Sequence, residues 1–179
     1  MKEKIILFTR VPKEGTTKTR LYDFMSPTEA VNIQKKLLKK NYDLLAETNR
    51  ELLVFHDGNS SDNKGMSELI SCDRFYYQKG DNLGDKMYNA LEEVISDSKV
   101  ILLGSDIFNL DKDIIEEAFE KLEMHDIVIN PSEDGGYFLI GMKKAIKEVF
   151  DLPSYGDSSV LENLIKVLEK NNLIYYLGR

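Results

Sequence analysis

Two acids, one cationic loop and one glutamine-glycine turn are the parts of this chain whose residue types and spacing could do chemistry. Asp106 closes the stretch Val100-Ile101-Leu102-Leu103-Gly104-Ser105-Asp106, and Asp134 stands within Ser132-Glu133-Asp134-Gly135-Gly136. The loop Lys13-Glu14-Gly15-Thr16-Thr17-Lys18-Thr19-Arg20 carries three cations, three hydroxyls and one glycine. Mg²⁺ is typically held by one or two carboxylates plus substrate phosphates, so this set suits a metal-bridged nucleoside di- or triphosphate. The matching chemistry is transfer at a phosphate-bearing leaving group. Metal and loop would stabilise the departing charge, and Asp134 or Asp157 would orient or deprotonate an acceptor hydroxyl.

The elements that must position these groups read as an α/β fold. Val100 to Leu103 is a short apolar run ahead of a Gly-Ser break, the pattern of a strand buried on both faces of a parallel sheet. Ligands of open α/β sheets bind outside the carboxyl ends of the strands, so an acid at Asp106 is delivered to that edge. Ile5 to Thr9 reads as the first strand, and the basic loop follows it, where α/β folds hold phosphates. A solvated surface loop is the bland reading of the same residues, and their place directly after the first strand favours phosphate. Neither a P-loop spacing nor a G-x-G-x-x-G fingerprint is present.

Ser26-Pro27-Thr28-Glu29 is a capping box with proline at the first helical position, and a helix is expected from there to about Thr48. A second strand spans Leu52 to Phe55, and a short helical piece surrounds Met66 to Ile70. A third strand at Phe75 to Tyr77 leads to a helix beginning near Asp81 or Asn82. Gln78 to Gly84 then form a strand-to-helix turn. That turn is either an ordinary cap or a place where Gln78 meets a nucleobase and the backbone near Gly80 and Gly84 approaches a ligand. Asp111 caps a further helix, and Ile127 to Ile129 is another buried strand. Asp134-Gly135-Gly136 between two apolar runs is first of all a hairpin turn, which does not exclude a site. Helical segments near Lys143 to Val149 and Asp157 to Lys170 and a last strand at Leu173 to Leu177 complete the expected order.

Composition narrows the function classes. A length of 179 residues fits one domain, 1–179. Twenty-four Lys and Arg against 31 Asp and Glu give a net charge of -7, which argues against coating nucleic acid. The single Cys72 and two separated histidines form neither a disulfide nor a zinc-type cluster, and a reducing, cytoplasmic setting is expected. The apolar run Ile5-Ile6-Leu7-Phe8 is too short for a membrane span.

Four ordered motifs between about residues 4 and 165 resemble the DUF2064 family of bacterial glycosyltransferase-like proteins. They are Lys18-Thr19-Arg20-Leu21, Gln78 through Met87, Gly104-Ser105-Asp106, and Asp134-Gly135-Gly136-Tyr137-Phe138-Leu139-Ile140-Gly141. That family is related to the GT-A nucleotide-diphospho-sugar transferases and more distantly to guanylyltransferases of coenzyme biosynthesis. The resemblance implies a three-layer Rossmann-like GT-A fold, a mostly parallel sheet with an antiparallel strand late in the chain. It also implies Asp106 in the metal-binding acid position, with Lys18 and Arg20 in the loop that contacts nucleotide phosphates. Ile107-Phe108 stand where the family often has Cys-Pro, and Tyr155-Gly156-Asp157 where it has Trp-Gly-Thr.

The expected function is a Mg²⁺- or Mn²⁺-dependent transfer from a nucleotide-sugar to a small-molecule acceptor. The alternatives are a nucleotidyltransferase releasing pyrophosphate, to which Thr19-Arg20-Leu21 is similar, and a non-catalytic nucleotide-binding module. The candidate nucleotide contacts are Arg10, Lys13, Gly15, Lys18, Arg20, Gln78, Gly80, Gly84 and Ser105. The candidate metal ligands are Asp106 and Asp134, and the candidate catalytic acids Asp134 and Asp157. Gly135, Gly136, Tyr137 and Tyr155 are expected on the acceptor side.

Overall fold

The two most apolar runs of the chain form the centre of the sheet. In the computed structural model, which describes all 179 residues, β1 (Lys2–Thr9) and β4 (Ser98–Gly104) pair in parallel from Lys2 opposite Ser98 to Phe8 opposite Gly104. Ile5, Ile6, Leu7, Val100, Ile101 and Leu103 are fully buried, as continuous apolar strands covered on both faces should be. Five further strands extend this pair: β2 (Glu51–His56), β3 (Phe75–Tyr77), β5 (Ile127–Pro131), β6 (Tyr137–Met142) and β7 (Tyr175–Leu177). The strand order is β3-β2-β1-β4-β6-β5-β7, parallel except for β6, which pairs antiparallel with both β4 and β5.

Five helices cover the sheet: α1 (Pro27–Ala46), α2 (Asn63–Leu69), α3 (Leu83–Val94), α4 (Lys112–Lys121) and α5 (Val160–Lys170). Alternation along each strand divides the core. Ile6, Phe8, Leu102 and Ile140 pack with Leu91 of α3 and Leu164 of α5, whereas Ile5, Leu7, Ile101 and Leu139 pack with Leu38 of α1, Met66 of α2 and Phe119 of α4. The result is the expected three-layer α/β fold. No helix is long and apolar enough to cross a membrane.

The helix starts follow local chemistry. The Ser26 hydroxyl accepts from the Glu29 amide at 3.2 Å, and Glu29 accepts in return from the Ser26 amide at 2.8 Å. Asn82 and Asp111 cap α3 and α4 by accepting from the Asp85 and Ile114 amides, both at 2.9 Å. Two expectations need correction. The helix read at Lys143 to Val149 is a single 3₁₀ turn, Lys147–Val149, because the backbone is still extended at Ile146, with φ -121° and ψ 108°. The last helix begins at Val160 rather than Asp157, because the Asp157 side chain binds Ser154 and Ser159 and closes a turn ahead of it.

Candidate active site

The ends of β1 and β4 lie side by side, and each releases one half of the site. Beyond β4, Asp106 is exposed, and Lys18 Nζ reaches it from the loop after β1, 2.8 Å from Oδ2. Lys18 adopts a left-handed backbone, φ 50°, as the cap of the 3₁₀ turn Thr19–Leu21. A non-glycine residue holds that conformation at a cost of about 1–3 kcal/mol, and such outliers gather at ligand sites. Here the Lys18 carbonyl accepts from the Leu21 amide at 2.8 Å, and the ammonium is drawn to Asp106. Arg20, inside that turn, and Arg10, directly after β1, are exposed, and their guanidinium groups form no ion pair or hydrogen bond within the protein. Lys13 is different, since its ammonium is 2.7 Å from Asp62. Gly15 takes φ 80°, and its amide donates to the Tyr22 hydroxyl at 2.9 Å, so this glycine shapes the loop.

Beneath Asp106 lies a buried polar cluster that hydrophobic periodicity does not reveal. Ser105 is buried, its hydroxyl 2.8 Å from that of Thr9 at the end of β1 and 3.1 Å from the donating Gln34 amide nitrogen. Asn41 Nδ2 donates to the carbonyls of Ser105 and Ile107, both at 2.9 Å, and its own Oδ1 is buried without a partner. Ser105, read as a nucleotide contact, therefore has its hydroxyl engaged inside the protein. Gln34 and Asn41 are two amides on the core-facing stripe of α1, seven residues apart. That polar intrusion into an apolar stripe is the only signal in the sequence that could have marked them.

The turn before α3 is engaged mainly with its own fold. The Gln78 side-chain amide donates to the carbonyls of Thr9 (2.9 Å) and Phe55 (3.3 Å), fastening β3 to the strand ends and leaving its oxygen to other partners. Gly80 has φ 141°, and a Cβ there would lie 2.8 Å from the Lys86 nitrogen; at Gly84 it would lie 2.2 Å from the Phe150 carbonyl. Both glycines thus permit close approach of protein to protein.

The β5–β6 hairpin brings the second acid to the same edge. Leu103 of β4 faces Leu139 of β6, and the antiparallel direction of β6 points its start, and the preceding turn, toward the segment carrying Asp106. Asp134 Oδ1 accepts from the Ser132 hydroxyl at 2.5 Å and the Gly136 amide at 3.2 Å. These bonds, with the charge of Arg20, hold its carboxyl below the usual carboxylate range. Gly135, at φ 86°, sits against Ser158, which a Cβ would meet at 2.3 Å, and Gly136 has its nearest neighbours in Ser132 and Asp134. Behind the turn, the Tyr137 hydroxyl lies 3.9 Å from Met87 Sδ, and the Tyr155 hydroxyl donates to the Phe150 carbonyl at 3.0 Å. Burial pushes both tyrosines up, Tyr137 well above its ordinary value and Tyr155 to about 12. Asp157 has both carboxylate oxygens engaged by Ser154 and Ser159, which lowers its proton affinity.

The donor set fits a hard divalent cation. Asp106 and Asp134 each keep one carboxylate oxygen free of protein partners, and oxygen donors are what Mg²⁺ and Mn²⁺ prefer. No cluster of three or more acid, histidine or cysteine ligands is preformed.

Residues 39–157 match the family model described as "Uncharacterized protein conserved in bacteria (DUF2064)". The chain belongs to the DUF2064 family. It is 29% identical over 184 residues to a 2-phospho-L-lactate guanylyltransferase of Methanocaldococcus jannaschii, covering 99% of this chain and 74% of that protein. A solved structure from Desulfovibrio desulfuricans G20, provisionally assigned as a nucleotide-diphospho-sugar transferase, superposes with a TM-score of 0.90 at 26% identity. It covers 99% of this chain and 80% of its own. A Mycobacterium tuberculosis H37Rv protein crystallised with manganese shares the fold, with a TM-score of 0.58 and 10% identity over 100% of this chain and 90% of its own.

Proposed function

We propose that this DUF2064 chain, as one domain spanning 1–179, is a metal-dependent nucleotidyltransferase. It would move a nucleoside monophosphate from a triphosphate to a small phosphorylated acceptor and release pyrophosphate. The observation that carries this reading is the charge arrangement at one sheet edge: Lys18 held on Asp106, with the guanidinium groups of Arg10 and Arg20 free of protein partners. Three cations and an exposed acid suit a strongly anionic triphosphate with its cation. The guanylyl transfer named for the M. jannaschii relative supports the same class, in preference to the sugar-donor reading.

Each residue then has a task. Asp106, joined by Asp134, would hold Mg²⁺ or Mn²⁺, which when bound supplies charge neutralisation between the phosphates and the leaving group. Lys18 and Arg20 stabilise charge accumulating on the departing pyrophosphate. A phosphorylated acceptor is already ionised at neutral pH, so its attack requires no general base, and orientation by Arg10 and the hairpin suffices. Asp134, kept ionised, serves there as ligand and orienter. The test is to incubate the protein with Mn²⁺ and GTP, CTP or a nucleotide-sugar, with and without a phosphorylated hydroxy acid. Acceptor-dependent pyrophosphate release from a triphosphate is expected. Transfer from the nucleotide-sugar alone would return the function to sugar transfer, and tight binding without turnover to a binding module.

A further inference from the structure

We infer that Gln34, Ser105 and Thr9, with Asn41 as a second anchor, are positioning residues that hold Asp106 at a set place relative to the basic loop. The hydrogen bonds have a direction. The Thr9 hydroxyl donates to the Arg10 carbonyl at 3.1 Å, so in its 2.8 Å contact with Ser105 it is the acceptor and Ser105 the donor. Ser105 in turn accepts from Gln34 Nε2 at 3.1 Å. The chain therefore runs from Gln34 through Ser105 and Thr9 to Arg10, crossing from α1 through the end of β4 to the end of β1. Its last acceptor is Arg10, the first residue after β1, on the segment that leads to the Lys13 to Arg20 loop. Such a chain polarises along its length, so each member strengthens its neighbours.

Asn41 sets the other coordinate. Its two donors grip the carbonyls on either side of Asp106, at Ser105 and Ile107. Gln34 and Asn41 are 3% and 0% exposed, and Asn41 Oδ1 has no partner at all. Burying an amide on these terms opposes stability, and apolar residues would fill the same stripe at less cost. Local choices that weaken a core are expected where a site must be held. The backbone on both sides of Asp106 is thus fixed by α1, while the carboxylate itself stays at the ligand edge. This role rests on Asp106 being the metal acid of the proposed reaction.

The experiment combines two readouts on Gln34→Met, Thr9→Val and their double variant, each near in shape to the residue replaced. Amide hydrogen exchange should accelerate about tenfold, the equivalent of one lost hydrogen bond, at Ser105 to Phe108 and Arg10 to Lys13, with the sheet centre unchanged. The double variant should cost less than the sum of the single ones, because either substitution interrupts one chain. Dissociation constants for Mn²⁺ and GTP together, measured per folded molecule, should rise. Exchange accelerated evenly over the whole sheet, additive losses, or unchanged dissociation constants beside a lowered melting temperature would reduce these residues to ordinary fold contacts. Should the wild-type protein bind neither Mn²⁺ nor GTP, the nucleotidyl reading falls, and the exchange pattern still decides whether α1 holds the Asp106 segment.

Discussion

Lys18→Met separates two effects of opposite sign at the same atom. Lys18 and Asp106 form an ion pair at 2.8 Å, with side-chain exposures of 17% and 53%. Two unit charges 4 Å apart attract by about 1 kcal/mol in water and about 4 kcal/mol at an effective dielectric of 20. Because the acid is half in solvent, the pair belongs near the range of about 0.2–1 kcal/mol measured for exposed bridges. Before any ligand arrives, Lys18 competes with a cation for Asp106. Its removal should therefore tighten binding of Mn²⁺ alone, by at most about fivefold. In the ligand complex the same ammonium would contact phosphate, and losing a charge-assisted contact costs about 1.5–3 kcal/mol, or roughly 10- to 150-fold in affinity. Calorimetry with Mn²⁺ alone, then with GTP added at saturating Mn²⁺, reads the two terms separately. Weaker metal binding in the variant, or an unchanged GTP affinity, would refute the reasoning. The first would make Lys18 a support for the acid, and the second would leave it an ordinary surface pair.

Two other perturbations test the frame around the site. The Tyr155 hydroxyl is pushed from 10.0 to about 12 and Tyr137 is raised as well, so the fold favours their protonated forms. A raised folded value means a contribution that is complete below the unfolded pKa of 10.0 and lost as pH rises through 12. Denaturant titrations should thus show stability falling from pH 10 upward, with a shallower fall in Tyr155→Phe. Gly84→Ala would place a methyl 2.2 Å from the Phe150 carbonyl and 2.9 Å from the Tyr155 ring. Overpacking of this kind costs about 1–3 kcal/mol, and each kcal/mol lowers the melting temperature of a chain this long by about 2–4 °C. Gly104→Ala has no atom within 4 Å of the new methyl and should show no such drop in a thermal scan.

What could be read from the sequence was whatever one segment decides by itself. The run ending at Asp106, the capping box at Ser26 and the Asp-Gly-Gly turn all stand where local chemistry puts them. The insertion of β6 between β4 and β5 could not be read in the same way. A hairpin fixes that β5 and β6 are neighbours, but which of the two meets β4 is a long-range choice that neither segment decides by itself. The polar residues divided along the same line. Lys18 and Arg20 stood out because their basic loop directly follows the first strand, where α/β folds hold phosphates, although a solvated surface loop reads the same residues. Asp157 stood out equally as an acid near the site, yet its oxygens are engaged within their own turn, a local arrangement that residue type alone does not disclose.

Gln34 and Asn41 mark the limit most clearly. On a helical projection they are two ordinary amides interrupting the stripe that contains Leu37, Leu38 and Leu45, and the economical reading is a slightly imperfect core face. Their meaning depends on partners 71 and 64 residues away, at Ser105. Contacts of that separation form only after β1, β4 and α1 have packed together, so no window of sequence contains them. The site is thus assembled in two tiers: acids and cations delivered by strand ends, and a buried amide layer that decides how far apart those ends are held. Chemistry-bearing residues sit in the first tier and are visible by type. Their spacing is set in the second, where a residue's role is defined by what the fold brings to it.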